Sequence, residues 1–147
     1  MRIHIRANSN AYQDQAVKYQ IKEEVVSYLI PFILECNTKQ KAVEVLESQK
    51  QNINAVVKEV LVKNGFSYAC NTTIRNELFP TRVYDDFTLE EGFYDAVIIE
   101  LGDASGDNWW CVVYPPLCFQ GTEKLTYKSK IVEIINEFRA KYIKEKV

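Results

Sequence analysis

The chain has 147 residues with 18 basic and 20 acidic side chains, a formal net charge of −2 and 47% hydrophobic residues. We expect one globular domain over residues 1–147, because this length and apolar content suffice for a single core. The charge balance argues against nucleic-acid binding, and the lack of any run of about 18 apolar residues argues against direct membrane insertion of this domain.

The chain begins with a pattern typical of a strand followed by a helix. Residues 2–7 alternate polar and apolar side chains, which predicts a half-buried β-strand. An apolar stripe at helical spacing then runs from Val17 to Phe32. Pro31 is expected to end or kink this helix.

A second helical region follows. Thr38 is a good N-cap residue for it, and Asn64-Gly65 is a good C-terminal stop because glycine tolerates the left-handed conformation of helix ends. The polar residues 48–52 lie between two apolar stripes and indicate a break into two helices.

The second half of the chain reads mainly as strands. It divides into a strand, a long connection, a central strand, a hairpin loop, a partner strand and a last helix, at residues 66–75, 76–92, 94–101, 102–108, 109–114 and 131–142. This order predicts an α+β fold, in which a small, mostly antiparallel sheet packs against helices in a two-layer single domain.

Residues that could support catalysis are few. A nucleophile needs a base, and the only histidine in the sequence is His4. We expect His4 to be an ordinary surface or hydrogen-bonded histidine, because nothing in the spacing requires it to meet a nucleophile. The alternative is a dyad of His4 with Cys111, which would make the protein a cysteine- or wall-directed hydrolase. The acidic pairs Asp85-Asp86 and Glu90-Glu91 are sequence neighbours and read as surface acids. With one histidine and no CxxC motif, we expect no metal site and no cofactor.

The segment Phe79-Pro-Thr-Arg-Val-Tyr allows two interpretations. Pro80 stiffens a connection that carries Phe79, Arg82 and Tyr84, residue types that often anchor protein interfaces. Alternatively, the aromatic side chains plug the edge of the core and Arg82 pairs with a nearby aspartate.

The block Asn108 to Phe119 is the most unusual part of the sequence. Trp109 and Trp110 are neighbours on a predicted strand, so their side chains must point to opposite faces of the sheet. The outward one is a candidate interface anchor. Cys111 and Cys118 flank Pro115-Pro116, and a bridge between them would imply an oxidising compartment. Four reduced thiols are the alternative.

These motifs resemble the family of stage II sporulation protein R from endospore-forming Bacillus- and Clostridium-type bacteria. The resemblance rests on blocks that occur in order along the chain, namely Arg2-Ile-His-Ile-Arg-Ala-Asn-Ser, Asp14-Gln15, Lys18, Phe79-Pro-Thr-Arg, Tyr84, Gly92, Tyr94, Gly102, Gly106, Asn108-Trp-Trp-Cys-Val and Pro115-Pro116-Leu-Cys-Phe. Asn10 departs from the pattern, which has an aspartate at that position.

The resemblance implies a signalling protein rather than an enzyme. Such a protein is exported from the forespore into the space between forespore and mother cell. There it activates a membrane-embedded aspartic protease that cleaves the sigma-E precursor. The family's export segment is absent here, which implies a mature or trimmed form. The residues expected to bind the protease are Phe79, Arg82, Tyr84, Asn108, Trp109 and Trp110.

Overall fold

The computed structural model describes residues 1–84, 87–117, 133–137 and 140, without the side chains of Tyr84 and Phe87. Its elements are β1 (Arg2–Arg6), α1 (Tyr12–Ile33), α2 (Lys39–Lys63), β2 (Cys70–Phe79), β3 (Arg82–Tyr84), β4 (Phe87–Leu89), β5 (Gly92–Leu101) and β6 (Asn108–Val112). Residues 133–137 and 140 are also helical, within the predicted last helix, much of which lies outside the described residues.

Four strands form one mixed sheet in the order β2-β5-β1-β6, and β3 and β4 form a separate antiparallel pair. β1 runs parallel to β5 and antiparallel to β6, whereas β2 runs antiparallel to β5. The predicted hairpin between β5 and β6 is therefore wrong, because β1 lies between them. The loop after β5 instead crosses the end of β1 to reach β6.

β2 begins and ends later than the sequence predicts. The amide of Phe66 bonds to the carbonyl of Leu61 at 2.9 Å, so this residue completes the end of α2 instead of starting a strand. β2 then pairs with β5 over ten consecutive residues, from Cys70 to Phe79. The predicted long connection is correspondingly wrong, since it contains the end of β2 and all of β3 and β4.

Pro31, which was expected to end or kink α1, lies inside that helix, which ends at Ile33, whereas α2 has its predicted ends. Thr38 accepts a hydrogen bond from the amide of Lys41, and Gly65 adopts a φ of 81° after the last turn of α2. The predicted break at residues 48–52 is wrong, because α2 is continuous. Leu46 and Ile53 are both fully buried on its inner face, so the apolar stripe spans the polar segment, which faces outward.

α1 and α2 pack together against one face of the sheet, which confirms the two-layer α+β arrangement. The main core lies between these layers and includes Ile3 and Ile5 of β1 and Val97 and Ile99 of β5. No helix within the described residues is long and apolar enough to cross a membrane.

β1 is more buried than its alternating pattern predicts. Arg2 and His4 point away from the helices, yet they are only 1% and 4% exposed. A second, smaller cluster covers them, formed by Phe79, Ala96 and Ile98 with Tyr94 and Trp110 packed against it. The prediction of a half-buried strand is therefore wrong for Arg2 to Ile5, which are buried on both faces because aromatic rings cover Arg2 and His4, whereas Arg6 is half-buried.

Candidate functional site

The loops that leave β1 and β5 interlock at one end of the sheet. The amide of Asp103 donates to Oδ1 of Asn8 at 2.8 Å, and the amide of Gly106 donates to the carbonyl of Ala7 at 2.9 Å. The hydroxyl of Ser105 also donates to the carbonyl of Asn8. These bonds lock the loop of residues 102–107 onto the end of β1.

Both glycines of this loop touch their neighbours too closely for a side chain. A Cβ on Gly102 would lie 2.8 Å from Cγ of Asn8, and one on Gly106 would lie 2.9 Å from Cα of Ser9. Gly102 also has a φ of 55°, in the left-handed region. The family motifs Ala-Asn-Ser and Gly102…Gly106 are therefore the two halves of one contact, here called the loop junction.

Asp14 anchors the start of α1 to the loop junction. Its carboxylate accepts hydrogen bonds from Ser9 Oγ at 2.5 Å, from Asn8 Nδ2 at 2.8 Å and from the Tyr68 hydroxyl at 2.9 Å. These bonds, with that from Ser9 the strongest, hold the pKa of Asp14 below its usual range despite burial. Both oxygens of this carboxylate therefore accept hydrogen bonds that hold the start of α1 in place.

Lys18 and Asn10 tie the other side of the loop junction. The Lys18 ammonium is buried and donates to Gln15 Oε1 at 2.6 Å and to the Asp107 carbonyl at 3.1 Å; burial lowers its pKa. Asn10 Oδ1 accepts from the amide of Asp107 at 2.7 Å. An aspartate at this position could accept the same bond, which explains how asparagine fits a place where the family pattern has an acid.

The opposite face of the sheet, here called the helix-free face because no described helix packs on it, carries a group of rings and cations. The guanidinium of Arg2 lies over two rings that contact each other edge-to-face, 4.4 Å from the centroid of Phe79 and 4.7 Å from that of Tyr94. Cation–π contacts of this kind strengthen when water is excluded. Phe79 is 0% exposed.

Glu77 is the centre of an ionic network on the same face. Its carboxylate accepts from Nδ1 of His4 at 2.8 Å and pairs with Arg6 through its other oxygen. Arg75 and Glu100 extend the network at 3.5 to 3.7 Å. Burial is the main influence on His4 and lowers its pKa, although the Glu77 carboxylate opposes this.

Trp110 and Arg82 form a half-buried contact at the surface of this face. The guanidinium of Arg82 lies 4.2 Å from the centroid of the Trp110 ring, which stacks on His4 at 5.1 Å between centroids. Both side chains are half-buried. The buried Nε of Arg82 has no hydrogen-bond partner among the described residues. The β3–β4 pair thus presents an arginine on a tryptophan at the surface.

The two tryptophans occupy opposite faces, as the alternation of a strand requires. Trp109 packs against the main core and lies under the ammonium of Lys22, 5.7 Å from the ring centroid. Both lie within β6, which is one of the two edge strands of the four-stranded sheet. The side chain of Tyr84, also a predicted binding residue, lies outside the described residues.

The alternative Cys111–His4 dyad does not form. Cys111 pairs with Ile3 and packs in the main core, whereas the neighbouring His4 points to the other face. Cys111 is also disulfide-bonded, while Cys36 and Cys70 are free thiols. Cys118, the predicted partner of Cys111, lies outside the described residues, so their pairing stays a prediction.

The structure adds residues that sequence reasoning did not select. Arg2 and Glu77 organise the helix-free face. The alternation of Arg2, His4 and Arg6 on β1 could have indicated them, because three basic side chains on one face of a strand need acidic or aromatic partners.

The predicted surface acids and the potential metal ligands have the following positions. Asp85 and Asp86 lie outside the described residues, whereas Glu90 and Glu91 are exposed as expected. No group of three or more potential metal ligands occurs within the described ranges.

The fold and the site together define a small α+β protein with a helix layer on one face of its sheet and an aromatic, cationic surface on the other. The chain belongs to the stage II sporulation protein R family, whose model matches residues 1–124. It is 34% identical to stage II sporulation protein R of Bacillus subtilis strain 168 over 119 residues. That match covers 81% of this chain and 53% of the relative, so the chain spans about half the relative's length. No solved structure matches. Family membership gives the chain a role in sporulation.

Proposed function

We propose that this chain is an exported forespore signalling protein that activates the membrane-embedded aspartic protease responsible for processing the sigma-E precursor in the mother cell. The observation that carries the proposal is the family match over residues 1–124. The site is consistent with a signalling protein rather than an enzyme. The buried polar groups of the loop junction and of the Glu77 network hold loops and strands together.

The surface proposed to contact the protease consists of Arg82, Trp110 and Asn108. Arginine and tryptophan dominate binding energy at protein interfaces, where truncation of one anchor typically costs about 2 kcal/mol or more. Phe79 is fully buried and supports this surface from below. Trp109 lies on the other face, so a partner contacts both tryptophans only by reaching around the β6 edge.

The space between forespore and mother cell is the proposed location. The disulfide bond at Cys111 supports an extracytoplasmic site, because such bonds persist in oxidising compartments.

Co-expression of the exported chain with the protease and the sigma-E precursor tests the proposal. We expect Arg82→Ala and Trp110→Ala to abolish or strongly reduce precursor cleavage while circular dichroism shows an intact fold. Lys58→Ala and Tyr12→Ala, on exposed positions of α2 and α1, are the matched cation and aromatic controls and should keep full cleavage. Full cleavage with both test variants would show that this surface does not contact the protease.

A further inference from the structure

The outer edge of β2 is long and accessible. β2 is the first strand in the sheet order, and no described strand pairs with its outer side. It extends over ten residues, and Asn71, Arg75, Asn76 and Leu78 are exposed along it. Edges of this kind offer a row of backbone donors and acceptors to another strand.

We infer that β2 pairs with β2 of a second copy of this chain, antiparallel, about a twofold axis that passes through Asn76. The argument is the side-chain register that this axis creates. Arg75 of each copy then lies opposite Glu77 of the other, so the contact contains two opposite-charge pairs. Opposite charges directly across an antiparallel pair stabilise it, and like charges destabilise it.

The same axis places an apolar residue opposite each exposed apolar residue of the edge. Leu78 is 52% exposed on the helix side of the sheet, next to Phe93 of β5, which is 71% exposed. In the proposed register, Leu78 of each copy lies opposite Ile74 of the other copy. The contact would therefore cover leucine side chains that the single chain leaves in water.

Neighbouring registers lack this complementarity. An axis through Arg75 would place the two Arg75 side chains opposite each other, and an axis through Glu77 would do the same for two carboxylates. An axis through Ile74 would leave both charges opposite uncharged residues. Within one chain Arg75 and Glu77 are already 3.5 Å apart, so the second copy completes an alternating charge cluster.

The pairing keeps both copies intact. A twofold axis perpendicular to the sheet joins the two four-stranded sheets into one and leaves both helix layers on the same side. It leaves Arg82 and Trp110 accessible in each copy, because β2 and β6 are at opposite edges of the sheet. The inference is thus independent of the proposed function.

Sedimentation velocity on the whole chain over a range of concentrations tests the association. We expect a reversible dimer, and Arg75→Glu should weaken it about tenfold or more, because like charges then meet twice across the axis. Lys41→Glu changes the charge equally at an exposed position of α2 and should leave the dimer unchanged. A chain that stays monomeric throughout, or a dimer that Arg75→Glu leaves unaffected, would overturn the inference.

Cysteine crosslinking tests the register and does not depend on the charge variants. In the proposed pairing the two Asn76 residues face each other within disulfide range, so Asn76→Cys should form a covalent dimer under mild oxidation. The two Leu78 residues lie about 13 Å apart along the strands, so Leu78→Cys should not. The unaltered chain, with its thiols at Cys36 and Cys70, gives the background. Crosslinking through Leu78→Cys instead of Asn76→Cys, or through neither, would refute the axis.

Discussion

Gly106 carries one of the strictest constraints at the scale of single residues. Its α-carbon lies against the backbone of Ser9, which cannot move without breaking the bonds that Ser9 makes to Asp14 and Ala11. The need for glycine therefore comes from close packing of two loops and not from an unusual backbone angle, in contrast to Gly102, where both apply.

Replacing Gly106 with alanine should destabilise the fold by about 1–3 kcal/mol, the usual cost of forcing extra atoms into a packed site. Chemical denaturation measures this change. Gly92→Ala is the control, since a Cβ there would meet only the Tyr94 ring at an ordinary 3.6 Å. Equal stability of the two variants would mean that the loop junction is loose enough to accept a methyl group.

His4 should make the stability of the protein depend on pH. Burial lowers its pKa from 6.5, so the unfolded chain binds a proton at a higher pH than the folded chain does. The contribution of His4 to stability is therefore fully present above pH 6.5 and is lost as the pH drops from there toward the folded pKa. The α-amino group of Met1, with its pKa lowered to about 6, acts in the same direction.

The contribution of His4 can be isolated by comparing the unaltered chain with His4→Gln. Urea denaturation at pH 7.5 and pH 5.5, pH values chosen on either side of the ordinary histidine pKa, should show a smaller loss of stability on acidification for the variant. Asp14 does not disturb this window, because its pKa lies below 3.8. An identical loss in both proteins would assign the effect to other groups.

At the scale of elements, α2 depends on its N-terminal cap. Thr38 Oγ1 accepts from the amide of Lys41 at 3.1 Å, and no acidic residue in the first turn assists it. Thr38→Ala should therefore cost about 1 kcal/mol of stability. Thermal denaturation provides the measurement, and Asn37→Ala, at an exposed position one residue outside the cap, should be close to neutral. A neutral Thr38→Ala would show that packing alone holds the start of α2.

The helices were more predictable than the strands because their signals are local. Apolar spacing, Thr38 and Gly65 lie within the segments that they define. The start of β2 depends on which residues of β5 it pairs with, and the position of β1 between β5 and β6 depends on contacts across the whole chain. The continuity of α2 through residues 48–52 and the pairing of residues 76–79 with β5 could not be predicted from those residues alone.

At the scale of the whole molecule, the order of elements predicted the two-layer architecture, and strand alternation predicted the division of Trp109 from Trp110. The contact between Arg82 and Trp110 was not predictable, since it forms where the β3–β4 pair meets the far side of the sheet. The burial of Phe79 has the same origin. The exposure of the predicted binding residues therefore could not be predicted from the sequence alone.

Because the two tryptophans lie on opposite faces of the sheet, the intrinsic fluorescence of this chain can report on each face separately. They are the only indoles in the sequence, and they occupy chemically distinct surroundings, with Lys22 beside Trp109 and the imidazole of His4 beside Trp110. A chain that keeps only Trp110 would emit from the helix-free face, and one that keeps only Trp109 from the helix side. Binding at either face can then be followed by fluorescence without an added dye.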